Sequence, residues 1–220
     1  MSRTYRESCS AAHALDLIGE RWALLVVREL LLGPKRFTDV CAGLPQASPN
    51  VLSQRLRELA DAGVVLRRRL PPPAGVWVYE LTEWGLELEQ VLLALARWGS
   101  RSPLRDLRSG ASVDALMLAL RSGFDPAVSG DLRAGYALHV GEHSFALHVA
   151  DGRLTVARDH LPAEPDAVIE TDRRTLHALL TRSRDLDVAL GEAEHITVTG
   201  DVDAVRRLLN AVTPAHKSTE

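Results

Sequence analysis

The chain has 220 residues, 46% of them hydrophobic and 25% charged, which are ordinary values for one or two globular domains. No apolar run approaches the roughly 20 residues of a membrane-spanning helix. The first 13 residues lack the apolar core of a signal peptide, and the chain has only two cysteines. We therefore expect a cytoplasmic protein without a disulfide framework.

The net charge of −3 is distributed unevenly. Residues 1–104 contain 13 basic and 11 acidic side chains, whereas the remaining residues contain 13 basic and 18 acidic ones. Residues 35–69 alone contain seven basic and three acidic side chains. A local positive surface on an acidic protein indicates an anion-binding site, although exposed arginines are often merely solvated.

The first half of the chain begins with three predicted helices. Apolar residues recur at the helical period over residues 11–32, and Gly33-Pro34 ends that run. A short helix is predicted over 37–41. Ser48 and Pro49 are favoured at the N-cap and first positions, and they predict a third helix that runs to about residue 62.

A hairpin and a long helix follow. Val64–Leu70 and Val76–Leu81 are β-rich, and the proline-rich segment between them must project as a tip. The alternation of Trp77, Tyr79 and Leu81 predicts a strand with one buried face. Residues 82–100 predict a helix whose apolar positions, spaced by three and four, form a seam suited to pairing with another helix: Trp84, Leu88, Val91, Leu95 and Trp98.

This order of elements is that of a winged helix-turn-helix. The helix after Ser48 would enter the major groove of DNA, where Asn and Gln can pair with adenine and Arg with guanine. Its neighbours would contact phosphates. The candidate DNA-binding residues are Lys35, Arg36, Ser48, Asn50, Ser53, Gln54, Arg57, Arg67, Arg68 and Arg69. The alternative is a small helical bundle whose polar face is only solvated.

Three segments carry a resemblance to a known family. Cys9 before the first helix, Gly19 and Trp22 inside it, and Tyr79–Thr82 at the entry to the last helix match the HxlR-type branch of winged helix regulators. The resemblance covers about residues 5–101. It implies a homodimer joined through the first and last helices, and a palindromic operator bound by two copies of the helix 48–62.

Cys9 has two possible roles. In some relatives the equivalent cysteine senses electrophiles or oxidants, which requires an accessible thiol whose pKa is lowered by positive charge or a helix N-terminus. Its position just before a helix and near Arg6 is compatible with that role. The alternative is a small packing residue in the dimer interface. Cys41 is expected to fill the core.

The second half predicts an α+β domain. After a polar linker over residues 105–112, residues 113–220 predict a helix, a strand meander and further helices. Its histidines do not have metal-ligand spacing, and it has neither a phosphate loop nor a nucleophile elbow. We therefore expect no enzyme activity, no metal and no cofactor.

This half resembles the sterol carrier protein-type lipid-binding domain. The resemblance rests on the meander from Tyr136, on Pro165–Asp172 leading into a helix, and on Gly200-Asp201 before the final helix; Glu194-His195 departs from the pattern. It implies an apolar cavity for a hydrophobic molecule. Candidate lining residues are Leu116, Leu120, Phe145, Leu147, Leu176, Leu180, Val188 and Leu208, although each of them can equally be a core residue.

The combined interpretation is a dimeric transcriptional regulator, most simply a repressor. Residues 1–104 would bind DNA and form the dimer, and residues 113–220 would sense a hydrophobic small molecule. Two alternatives remain open. The C-terminal half is a ligand-free dimerisation or interaction platform, or the protein is a lipid carrier whose helix-turn-helix has lost DNA binding.

Overall fold

The computed structural model describes residues 4–106, 109–192 and 195–212. The chain divides into two compact units, Met1–Leu92 and Leu93–Glu220, and the division falls within the fifth helix. The described part of residues 105–112, predicted as a linker, contains neither helix nor strand. No helix of the described residues has the length and hydropathy needed to cross a membrane.

The N-terminal unit contains four helices, a hairpin and the start of a long helix. In chain order these are α1 (Ser10–Ile18), α2 (Ala23–Leu30), α3 (Phe37–Gly43), α4 (Pro49–Asp61), β1 (Val65–Arg69), β2 (Trp77–Leu81) and α5 (Glu83–Ser100). The single helical region predicted over 11–32 is in fact two helices. The chain turns there because Trp22, which precedes α2, has a left-handed φ of 79°. Gly19 ends α1, where a side chain would collide with the carbonyl of Leu15.

The core of this unit lies between α2, α3 and α4. Leu52, Leu56 and Leu59 lie on one face of α4, as the helical spacing predicts, and are at most 1% exposed. Val26 and Val40 bury the facing sides of α2 and α3. Burial of these side chains contributes about 1.5–3 kcal/mol each and fixes how α4 presents its outer face.

The hairpin β1–β2 is the wing of the unit. Its strands are antiparallel, with Val65 opposite Leu81 at the base and Arg69 opposite Trp77 near the tip. The predicted burial of Trp77 and Tyr79 is wrong: Trp77 is 52% exposed and Tyr79 half-buried, and only Leu81 of the three is buried. Val78, on the opposite face of β2, is 2% exposed, so near the tip the buried side of the strand is not the side that the alternation predicts.

The start of α5 is fastened to the base of the wing. Thr82 donates its backbone N–H to the Val64 carbonyl at 3.1 Å and its hydroxyl to the Gly63 carbonyl at 2.8 Å. Gly85, in the first turn of α5, lies so close to the Val64 carbonyl that a Cβ there would be 2.1 Å from the oxygen. The two backbones therefore meet without a side chain between them.

The C-terminal unit is an α+β fold, as predicted. Its elements after α5 are α6 (Val113–Gly123), α7 (Pro126–Ser129), β3 (Ala134–Val140), β4 (His143–Ala150), β5 (Arg153–Arg158), β6 (Ala167–Thr171), α8 (Arg173–Leu180), α9 (Leu186–Glu192), β7 (Ile196–Gly200) and α10 (Val202–Ala211). The sheet order is β5-β4-β3-β6-β7, and only β3 and β6 are parallel neighbours. The resulting crossover connects the two antiparallel parts of the sheet.

One face of this sheet and three helices form the second core. Alternate residues of β3 and β4, including Leu138 and Leu147, face side chains from α6, α8 and α10. Tyr136 is fully buried there, and its hydroxyl donates to the Ala204 carbonyl at 2.9 Å. Burial raises the pKa of Tyr136, so the phenol stays protonated and keeps this hydrogen bond.

Candidate functional site

The outer face of α4 presents polar side chains to solvent. Ser48 caps the helix by accepting a hydrogen bond from the Val51 amide at 3.4 Å, and Pro49 occupies the first turn. Asn50, Gln54 and Arg57 are exposed, whereas Ser53 is half-buried. Because the cap fixes where α4 begins, it also fixes which side chains of the helix face solvent, and these side chains project away from the core.

Not all of these side chains are equally available. Gln54 donates its amide to the Glu58 carboxylate at 3.0 Å, and Arg55 bonds the same carboxylate at 2.6 Å. Within the described residues, Asn50 and Arg57 have no side-chain hydrogen bond or ion pair. These two are ready to contact a ligand, whereas Gln54 must first exchange its partner.

Lys35 has a structural partner that the sequence pattern did not reveal. Its ammonium lies 2.9 Å from the carboxylate of Glu29, which is fully buried and also bonded by Arg28 at 2.8 Å. Because the Lys35 side chain is only 13% exposed, its charge is directed inward. Arg36, the next residue, is exposed at the N-cap of α3, where its backbone N–H donates to Asp39 at 3.0 Å.

The three consecutive arginines of β1 differ from one another. The guanidinium of Arg67 lies 4.7 Å from the ring centre of Trp77 and 6.0 Å from that of Tyr79. Arg69 donates its Nε to the Gly75 carbonyl at the wing tip, 2.8 Å away. Arg68 points to the opposite side and forms an ion pair with Glu80, which raises the pKa of Arg68.

A groove lies between α1 and α5. Its volume is about 290 Å³, and it is lined mainly by apolar side chains, including Leu17 of α1 and Leu88 of α5. Trp84 and Val91 at its edge are 50% and 42% exposed. In the next turns of α5, Leu95 and Trp98 are exposed as well. The helix thus presents an apolar seam, with Leu88 alone half-buried.

The two cysteines lie in different environments. Cys9 is exposed at the N-cap of α1, where the backbone amides of Ala12 and Ala11 lower the pKa of its thiol. Cys41 is half-buried in α3, and burial raises the pKa of its thiol. At neutral pH Cys9 is therefore the more ionised and more nucleophilic of the two.

A small void lies in the core of the C-terminal unit. Its volume is about 20 Å³, room for about one water molecule, and Leu120, Leu147, Leu176 and Leu208 line it. Of the other predicted lining residues, Leu116, Phe145 and Leu180 are buried in the surrounding core, and Val188 on α9 is 55% exposed. Glu194, noted for departing from the family pattern, lies outside the described residues.

The polar contacts of the C-terminal unit are structural. Arg158 bonds the buried Asp114 at 2.7 Å and lies 4.7 Å from the ring centre of Phe145. His139 bonds Ser144 at 2.9 Å. No cluster of three or more potential metal ligands occurs among the residues that the structure describes.

Three features of the surface predicted to bind DNA were not foreseen from the sequence: the inward direction of Lys35, the pairing of Arg68 with Glu80, and the contact of Arg67 with Trp77. The last two follow from the strand register, because residues two apart share a face. The first depends on the packing of α2 and has no local sequence signal.

The comparisons with known proteins concern mainly the N-terminal half. The model of the HxlR-like helix-turn-helix family matches residues 17–105. The HTH-type transcriptional regulators YvaP and YodB of Bacillus subtilis are 39% and 35% identical over 87 and 88 residues; each match covers 40% of this chain, and 81% and 79% of the relative.

Two solved structures are also similar. The reduced form of YodB is 32% identical, covers 44% of this chain and 97% of its own, and has a TM-score of 0.40. The sec-alkylsulfatase Pisa1 from Pseudomonas sp. is 18% identical and covers 46% of this chain but only 16% of its own, with a TM-score of 0.43. The sequence matches to regulators over four fifths of their length do identify the N-terminal half: the chain belongs to the HxlR-like helix-turn-helix family.

Proposed function

We propose that this protein is a transcriptional regulator that binds operator DNA as a homodimer through α4 and the wing. The observation that carries the proposal is the pair Asn50 and Arg57, which are exposed on the outer face of a capped helix and have no side-chain hydrogen bond or ion pair to any residue that the structure describes. The helix-turn-helix relatives support the same role. DNA is the ligand whose groove admits such a helix.

Specificity and affinity would come from different residues. Asn50 is suited to pair with adenine and Arg57 with guanine, each in a bidentate manner. Arg36, Ser48 and two wing arginines, Arg67 and Arg69, would contact phosphates, which supply affinity without sequence preference. Lys35 is left out of this set because its charge is already bound to Glu29.

The apolar groove between α1 and α5 supports a homodimer. A second copy of the same surface would cover Trp84, Val91 and the side chains around Leu88, which are costly to expose to water. Two-fold symmetry would place two copies of α4 in successive major grooves, about 34–36 Å apart, on a palindromic operator. Repression then requires only that the bound dimer obstruct a promoter.

The test is selection of binding sites from a random duplex library by the full chain. Enrichment of a palindrome supports the proposal, and no enrichment over unselected DNA contradicts it. Asn50→Ala and Arg57→Ala should each relax the preference at one symmetric position, with about 1–3 kcal/mol lost there. Arg153→Ala, an exposed arginine of the C-terminal unit, is the matched control and should leave the enriched sequence unchanged.

For the C-terminal unit we propose a sensor of a hydrophobic small molecule. The apolar core supports this, but the void of about 20 Å³ would have to open to admit a lipid-sized ligand. Such a ligand can change operator affinity only if it binds one state of the dimer better than the other. Under this proposal the protein carries out no catalysis.

Two measurements separate the sensor from its alternatives. Native mass spectrometry of the purified full chain, before and after solvent extraction, reveals whether a hydrophobic molecule is carried, and operator binding with and without that molecule reveals coupling. A carried molecule that changes operator affinity supports the sensor. An empty protein indicates an interaction platform, and a loaded protein without DNA binding indicates a carrier.

A second candidate function concerns Cys9. We propose that this thiol reacts with electrophiles or oxidants and thereby alters the regulator, because it is exposed and its pKa is lowered at the start of α1. Its neighbour Ser10 lines the α1–α5 groove, so an adduct on Cys9 would lie beside the proposed dimer interface. The test is operator binding before and after alkylation, with Cys9→Ser as the control that should not respond.

A further inference from the structure

The wing has two chemically different faces. Antiparallel pairing sets Arg67 opposite Tyr79 and Arg69 opposite Trp77, so these four side chains project from the same side. We call this side the aromatic face of the wing. The other side carries Arg68 and Glu80, whose charges compensate each other.

On the aromatic face, Arg67 is held but not neutralised. Its guanidinium stacks on Trp77, with 4.7 Å between the guanidinium carbon and the ring centre, and Tyr79 lies on the same side. Among the described residues Arg67 has neither a carboxylate partner nor a hydrogen-bond acceptor for its side chain. A guanidinium that lies over a ring face keeps its five N–H donors in its own plane, where they remain free for a phosphate.

The tip next to this face is also ordered by an arginine. Arg69 donates its Nε to the Gly75 carbonyl, which leaves its two terminal nitrogens available. Trp77 is 52% exposed, so the tryptophan contributes little to the core of the unit. The exposed indole of Trp77 therefore stabilises the fold little, and its contact with Arg67 indicates that its role is to orient that arginine.

We propose that Trp77 is a positioning residue that orients Arg67 toward one phosphate of the DNA backbone. This inference rests on the proposed function and narrows it: the wing contacts DNA through its aromatic face, and Arg68 takes no part. Stacking reduces the conformational freedom that Arg67 would lose on binding, so the contribution of Trp77 depends on the presence of Arg67.

The test measures binding of the full chain to a fluorescent duplex as a function of salt concentration. Arg67→Ala should weaken binding about tenfold and reduce the slope of log affinity against log salt by about 1.8, the value of one phosphate contact from each of the two copies in the proposed homodimer. Arg68→Ala is the matched control: it removes a neighbouring arginine that is already paired with Glu80, and it should leave the slope unchanged.

The role of Trp77 is tested by a double-mutant cycle. Trp77→Leu should weaken binding about two- to fivefold in the wild-type background and have no effect in the Arg67→Ala background. Trp77→Phe, which keeps an aromatic ring, should restore most of the affinity. Urea unfolding followed by far-UV circular dichroism verifies that each variant is folded.

The outcomes separate this inference from the proposed function. If the wild-type chain binds neither selected nor random duplexes, both are wrong. If it binds but Trp77→Leu has the same effect in both backgrounds, Trp77 does not act through Arg67 and only the inference is overturned. If Arg68→Ala reduces the slope of log affinity against log salt as much as Arg67→Ala does, the inference is also overturned.

Discussion

Substitution of Glu29 by glutamine removes a buried negative charge that is paired with two cations, Arg28 and Lys35. The carboxylate is fully buried and accepts from Arg28 at 2.8 Å and from Lys35 at 2.9 Å, through different oxygens. Glutamine has nearly the same shape, but it replaces one oxygen by an NH₂ donor that faces a cation. One of the two cations must therefore lose its acceptor.

We expect a large loss of stability from Glu29→Gln, although the substitution replaces only one oxygen by an NH₂ group. Removing one partner of a buried ion pair costs about 3–5 kcal/mol. Arg28 and Lys35 retain 16% and 13% exposure and can turn partly toward water, so we expect a loss near the lower limit, about 3 kcal/mol. For a unit of 92 residues, each 1 kcal/mol lowers Tm by about 4–8 °C.

The assay is urea unfolding of the full chain followed by tryptophan fluorescence. All four tryptophans lie between residues 22 and 98, so the signal reports on the N-terminal half. Glu58→Gln is the matched control, because its carboxylate bonds Arg55 but its side chain is 43% exposed, and we expect at most about 1 kcal/mol there. A loss below about 1 kcal/mol for Glu29→Gln would refute the structural role given to this cluster.

Three further predictions follow from the same structure. Gly43→Ala should destabilise the N-terminal half by about 1–3 kcal/mol, because its Cβ would lie 2.2 Å from the Glu29 carboxylate. In urea unfolding, the loss caused by Gly43→Ala should be smaller in a Glu29→Ala background. Equal losses in the two backgrounds would contradict the contact. Iodoacetamide should alkylate Cys9 at a rate whose pH midpoint is lower than that of an unstructured cysteine peptide, because a lowered pKa raises the thiolate fraction at neutral pH. A pH midpoint of the rate at or above that of the peptide would contradict the lowered pKa. Val91→Glu should convert the proposed dimer to a monomer in sedimentation velocity without loss of secondary structure, because Val91 is already 42% exposed in one copy. A variant that remains dimeric would exclude this groove as the interface.

Local signals were sufficient to predict several elements. The Ser48-Pro49 cap predicted α4, and the helix expected directly after Asp172 is α8. The α+β class of the second half also followed from strand alternation and turn residues. These features depend on neighbours within one or two turns of the chain, so the sequence contains their physical cause directly.

Other features depend on contacts that no local pattern encodes. Lys35 looks like a phosphate-binding residue until the packing of α2 brings Glu29 to it. Arg68 differs from Arg67 only through the register that the turn sets between β1 and β2. Strand β6 was not predicted because its pairing with β3 is parallel and requires a crossover, which leaves no hairpin signal.

The contact between Gly85 and Val64 has a mechanical consequence. Because α5 meets the base of the wing backbone to backbone, α5 cannot rotate about its own axis without moving the start of β1. At 1.5 Å per residue, the 18 residues of α5 form a rod about 27 Å long. In the proposed homodimer, a change in the angle between the two copies of α5 would therefore move both wings. The distance between the wings would change while each winged unit keeps its internal structure.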